Sequence, residues 1–179
     1  MVVGGWGTAA VAAVRFRVRE YSPVLKIAGL LCSVLVLGQP ALVAAAELKQ
    51  PAPVFDMLSQ QHGKVVLVDF WASWCGPCRQ ALPHYEALRQ FYGTKGFEVI
   101  AVGVDQNPLD GAALLQTMHL SFPQVQDAQG KIAQAYALPA MPTAYLIDRR
   151  GIVRQVRSGF NKNDIEPLRQ ALEQLLEEQ

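Results

Sequence analysis

The sequence predicts an α/β fold: a central mixed sheet with helices on both faces. Three observations predict it. Two continuous apolar runs, Val65–Val68 with Phe70 and Val99–Val104, have strand length and suit strands buried on both faces. Apolar residues at helical spacing follow each of them. A third run, Thr143–Ile147, leads through the turn Asp148-Arg149-Arg150-Gly151 into Ile152–Val156. The alternating polar residues of that last run predict an antiparallel strand at the sheet edge.

The elements follow in order. Residues 47–53, with Gln50-Pro51-Ala52-Pro53, read as a linker, and residues 54–179 as the folded domain. Val54–Gln61 is short and amphipathic and predicts a helix ending at Gly63. After Cys78, Ala81, Leu82, Tyr85, Leu88 and Phe91 recur at helical spacing up to Gly93, with Pro83 expected to kink the helix. Asp110–Met118 reads as a helix, Phe122–Val125 as a short strand and Lys131–Tyr136 as a short helix. The last helix starts near Asn161 or Asn163 as N-cap and buries Ile165, Leu168, Leu172, Leu175 and Leu176.

The chain has 179 residues, enough for one ordinary domain and an appendage. It is 51% hydrophobic and 17% charged, too apolar for a disordered chain. A net charge of +1 argues against a nucleic-acid partner held by a basic surface. The charge is uneven. Arg15, Arg17, Arg19 and Lys26 precede the apolar run Ile27–Leu37, and the small residues Ala44-Ala45-Ala46 follow it. That order predicts a secretory signal over residues 1–46, cleaved after Ala46. The alternative is an uncleaved membrane anchor, since residues 27–46 are about the length of a spanning helix. Either reading places the domain in a periplasmic or other extracytoplasmic space. Cys32 inside the apolar run reads as bulk hydrophobe.

Cys75 and Cys78 then remain as the cysteines of the domain, an arrangement with its own chemistry. Trp71-Ala72-Ser73-Trp74-Cys75-Gly76-Pro77-Cys78-Arg79 joins a buried strand to a helix start. Two cysteines so spaced can close a small disulfide ring. The free N–H groups and positive end of the helix favour a thiolate at Cys75, the attacking species in disulfide exchange. Cys78, one turn inward, would resolve the mixed disulfide. Pro77 suits the first helical turn. A metal pair is the competing reading, but zinc takes about four ligands. His84 lies six residues past Cys78, about 9 Å along the helix axis and on another face.

Val68 to Arg79 resembles the active-site signature of thioredoxins. Pro83, five residues past the second cysteine, matches as well, and Met141-Pro142-Thr143 resembles the cis-proline loop of that superfamily. The resemblance spans nearly all of residues 54–179 and implies a thioredoxin-like fold. The secretory leader, Thr143–Asp148 and the additional helix and strand between Asp105 and Pro142 are similar to the TlpA/ResA/CcmG group, extracytoplasmic oxidoreductases often linked to cytochrome c maturation. The Gly76-Pro77 pair and Asp69 lean towards thioredoxin itself.

The resemblance also implies roles. Asp69, an acid in an otherwise apolar strand, would move protons to and from Cys78; burial would raise its pKa and poise it for that task. The lysine that related thioredoxins place on the neighbouring strand is absent, and Ala101 stands in its place. The alternative for Asp69 is a structural acid capped by a backbone N–H. Pro142 is expected to be cis beside the disulfide, leaving the Met141 backbone free to pair with a client strand. Trp74 would cover the cysteines and offer partners a flat apolar contact, with Trp71 packed beneath. Gly159 lines the client groove or serves as a plain turn glycine. Arg149 and Arg150 read as a solvated turn.

The activity implied is reduction of client disulfides by dithiol exchange, with no cofactor beyond the Cys75–Cys78 couple. The partners implied are proteins carrying cysteines or disulfides, apocytochrome c among them, and a membrane electron donor of the DsbD/CcdA type. A disulfide oxidant or isomerase is the alternative. A peroxiredoxin-type thiol peroxidase lacks support in the residues before Cys75, and a Sco-type copper carrier calls for wider cysteine spacing.

Overall fold

The computed structural model of the protein describes residues 50–178. The leader read over residues 1–46 and the start of the linker lie outside the described residues. Among the described residues six strands form one mixed sheet: β1 (Gln50–Pro51), β2 (Val65–Trp71), β3 (Phe97–Gly103), β4 (Gln124–Gln126), β5 (Thr143–Ile147) and β6 (Ile152–Ser158), in spatial order β1-β6-β5-β2-β3-β4. β2 runs parallel to β3, and β3 to β4; β5 is antiparallel to both β2 and β6. The helices are α1 (Asp56–Ser59), α2 (Gly76–Tyr92), α3 (Pro108–Met118), α4 (Lys131–Ala135) and α5 (Ile165–Glu177).

Every residue of β2 and β3 is buried, which is why both read as apolar runs apart from the acids Asp69 and Glu98. Alternation along β2 divides the core. Val65, Leu67 and Trp71 face α2 and α5, where Leu82, Tyr85, Leu88, Leu168 and Leu172 pack. Val66, Val68 and Phe70 face the other way, towards Phe55, Leu58, Ile132 and Tyr136. The helices thus cover both faces, as the pattern predicts.

Several expectations need correction. Gln50–Pro51 is a strand and not linker: it pairs with Val153 and Ile152, and the Ala52 N–H donates to Gly151 O at 2.8 Å. β6 is therefore not the sheet's outermost strand. Pro51 has no N–H to offer, which suits the exposed rim. Val54 is 78% exposed, and the first helix shrinks to four residues. On α2 Tyr92 is buried, whereas Phe91 is 65% exposed under the Lys95 ammonium. The fourth strand is Gln124–Gln126; Phe122 instead plugs the core at 3% exposure. α3 starts at Pro108, with the Asn107 side chain accepting from Leu109 N–H.

Arg149 is no solvated turn residue. Its guanidinium donates to the carbonyls of Gly63 (2.8 Å), Lys95 (3.4 Å) and Leu176 (3.1 Å), tying three segments together at the end of the sheet away from the cysteines. Five fixed donors in a planar fork suit that task. Arg150 remains exposed.

Candidate active site

Three segments meet at the carboxyl end of β2, because strand register brings them there. The chain leaves β2 at Trp71 and enters α2 through Ala72–Cys75. Thr143 pairs with Phe70, which sets Pro142 beside the end of β2. Thr143 also pairs with Ser158, which sets Gly159 next in line. The Gly159 N–H donates to Pro142 O at 2.8 Å, and the Thr143 hydroxyl meets Ser158 Oγ at 3.1 Å. The Met141–Pro142 peptide is cis, as expected, and Pro142 is buried. Met141 is half-buried against both halves of the core.

Cys75 is the N-cap of α2, and the two sulfurs are joined, with Cα atoms 5.3 Å apart. The Cys78 N–H points at Cys75 Sγ from 3.3 Å. This donor, at the positive end of a 17-residue helix, bonds the sulfur that would carry negative charge after reduction. Cys75 keeps 6% exposure and Cys78 none, the asymmetry that an attacking and a resolving thiol require. Gly76 and Pro77 form the first helical turn; a Cβ built on Gly76 would meet nothing within 4 Å.

Trp74 is 68% exposed, in the turn that the Cys75 N–H closes onto Ala72 O at 3.1 Å. It is left free to offer its apolar face outward. Trp71 packs beneath, 1% exposed.

Asp69 is wholly buried, and neither carboxyl oxygen has a hydrogen-bond partner among the described residues. The capped structural acid is thereby excluded. Its neighbours in register are Ala101 on β3 and Ala144 on β5. No cation offsets the burial from those positions, so desolvation pushes its carboxyl well above the usual carboxylate range. By strand alternation it faces the α2 side of the sheet, the side that holds Cys78 and Tyr85.

One functional residue was missed in the sequence. Asp105, 2% exposed just past β3, accepts from Ser73 N–H (3.0 and 3.1 Å) and from the Ser73 hydroxyl (2.7 Å). It clamps the loop two residues before Cys75. The available signal was a lone acid directly after an apolar run. Asp105→Ala is expected to leave the Ser73 N–H unpaired and to cost about 1–3 kcal/mol, read as a lowered denaturant midpoint. An unchanged midpoint would remove the clamp from the account.

Among the described residues no cluster of three or more His, Cys, Asp or Glu could hold a metal ion, and no helix is long and apolar enough to cross a membrane.

The family model described as Redoxin matches residues 40–175. Thiol-disulfide oxidoreductase ResA of Geobacillus kaustophilus is 37% identical over 110 residues, 61% of this chain and 63% of that protein. ResA of Geobacillus thermodenitrificans is 35% identical, again over 63% of its length. The chain therefore spans less than two thirds of these relatives. A solved structure from Chlorobium tepidum, described as a thiol:disulfide interchange protein DsbE, superposes with a TM-score of 0.69 at 38% identity. The match covers 72% of this chain and 96% of that one. A solution structure from Bacteroides thetaiotaomicron, described as a protein disulfide isomerase, gives 0.67 at 28% identity over 73% and 91% of the two chains. The fold is thioredoxin-like, as the motifs imply.

Proposed function

The chain belongs to the redoxin family, and on that premise we propose that it is an extracytoplasmic thiol-disulfide oxidoreductase that reduces client disulfides. One observation carries the proposal: a joined cysteine pair at a helix N-terminus, with the outer sulfur accepting from the Cys78 N–H and only that cysteine of the pair keeping any solvent exposure. In the dithiol form, Cys75 attacks a client disulfide as thiolate and forms a mixed disulfide. Cys78 loses its proton, attacks Cys75 Sγ and expels the client thiolate. The products are a reduced client and the Cys75–Cys78 disulfide. Asp69 takes the Cys78 proton.

Each turnover consumes two electrons. Outside the cytoplasm these come from a membrane donor of the DsbD/CcdA type, the partner that a secretory leader on residues 1–46 would require. The relatives, thiol-disulfide oxidoreductases by name, support clients that carry cysteines or disulfides; apocytochrome c is the client that the sequence resemblance implies. Trp74, Met141, Pro142 and Gly159 form the surface that receives the client strand.

Cys78→Ser removes the resolving thiol and leaves the nucleophile. It is expected to accumulate covalent client adducts that dithiothreitol releases, read on non-reducing gels. Absence of any adduct would contradict the assignment of the two thiols.

A further inference from the structure

A buried acid that handles protons needs a route to water, and Asp69 is wholly buried. A cavity of about 260 Å3 lies beside the site, between the end of β6, Phe160 and the start of α5. Tyr85 of α2 lines it, yet is only 4% exposed. The same ring belongs to the buried stripe of α2 on the sheet face that holds Asp69. Tyr85 therefore runs from the core to the cavity. Phe160 fixes it edge-on, with ring centres 6.4 Å apart.

Charged groups act on it from β2, β6 and the turn before α5. Asp69 lies on the β2 side, and Arg157 of β6 and Asp164 line the cavity. Burial, the Asp69 charge and the Asp164 charge hold the phenol proton more tightly, and Arg157 opposes them. Arg157 is fixed by donating to Gln155 Oε1 (3.1 Å) and Asp164 O (3.0 Å). β3 and β5 set Ala101 and Ala144 beside Asp69. The His84 ring also packs against Phe160, tilted, with ring centres 5.7 Å apart. A phenol that stays neutral both donates and accepts, so it can receive one proton while passing on another.

We propose that Tyr85 is a relay residue that carries protons between the buried Asp69 carboxyl and solvent in the Arg157–Phe160 cavity. The inference rests on the disulfide-reductase reading. When Cys78 attacks the mixed disulfide, its proton moves to the Asp69 carboxylate. The Asp69 carboxyl then gives up a proton towards the Tyr85 oxygen, through a bridging water, as the Tyr85 hydroxyl releases its own to the cavity. The balance is one proton delivered to solvent, Asp69 ionised again and Tyr85 unchanged. Tyr85 touches no reacting sulfur in this scheme and acts through Asp69.

The test is a double-mutant cycle with Tyr85→Phe and Asp69→Asn, in the full chain. Tyr85→Phe keeps the ring against Phe160 and removes one oxygen. Insulin reduction driven by dithiothreitol is followed across pH and in heavy water. With Asp69 present, Tyr85→Phe is expected to slow turnover roughly tenfold near neutral pH and to enlarge the solvent isotope effect. In the Asp69→Asn background it is expected to add nothing. An equal loss in both backgrounds would show a packing role and overturn the relay. So would an unchanged rate and isotope effect with Asp69 present. Failure of the unaltered chain to reduce insulin would instead overturn the reductase reading beneath it.

Discussion

Cys75→Ser is expected to reduce the interchain disulfides of insulin no faster than dithiothreitol does alone. The reason is access together with chemistry. Cys78 has no solvent exposure, so no client disulfide reaches it while Cys75 is blocked. A serine hydroxyl is not ionised near neutral pH, and the Cys78 N–H at the start of α2 cannot make it a nucleophile of comparable strength. The fold should survive. Serine is a favoured N-cap, and the Cys78 N–H that now meets sulfur at 3.3 Å would meet oxygen. Losing so short a disulfide ring costs about 2 kcal/mol on the loop-entropy model. Turnover and stability thus separate: activity falls to background while the cooperative melt persists. Residual catalysis above background would point to a nucleophile other than Cys75.

Asp69→Asn is expected to make the oxidised protein more stable and the enzyme slower. The stability effect follows from the raised proton affinity of Asp69. Below the unfolded-state pKa of about 3.9 the carboxyl is protonated in both states and contributes no pH dependence. As pH rises past that value the unfolded chain ionises first, so the folded state loses relative stability. The loss continues until pH passes the folded-state pKa, and is constant above it. Every tenfold difference in proton affinity between the two states corresponds to about 1.4 kcal/mol. Asparagine has nearly the same shape and never ionises. The variant should therefore match the parent at pH 3 and exceed it in denaturant midpoint at neutral pH. Turnover should fall most near neutral pH, where the lost group accepts the Cys78 proton. At high pH, where thiols ionise unaided, the gap should narrow. Equal stabilities at both pH values would show that Asp69 is not desolvated as described.

What the chain discloses in advance depends on how local the cause is. β2, β3 and β5 were legible because a strand buried on both faces must be predominantly apolar. The Cys75–Cys78 pair and Met141–Pro142 were legible because their chemistry is written in adjacent residues. β1 was not, because Gln50–Pro51 has no pattern of its own and becomes a strand only against the rim of β6. Arg149 looked like a turn residue because its carbonyl partners on Gly63, Lys95 and Leu176 are distant in sequence. The Asp105–Ser73 clamp spans 32 positions, and nothing near either residue announces the other. The exchange of Phe91 for Tyr92 has a simpler cause. From Ala81, Tyr85 and Leu88 the next inward position at 3.6 residues per turn falls nearer 92 than 91. Asp69 was conspicuous as an acid among apolar residues, but its lack of any partner required the neighbouring strands in place.

The central claim is that Cys75 and Cys78 form a reducing two-electron couple. Its most direct test is the reduction potential of that pair, obtained by equilibrating the protein in graded dithiothreitol buffers and counting alkylated thiols by mass. A single two-thiol transition in the range of thioredoxin, about −270 mV, is the expected result. A transition near the about −120 mV of DsbA, or two thiols that titrate independently, would contradict it.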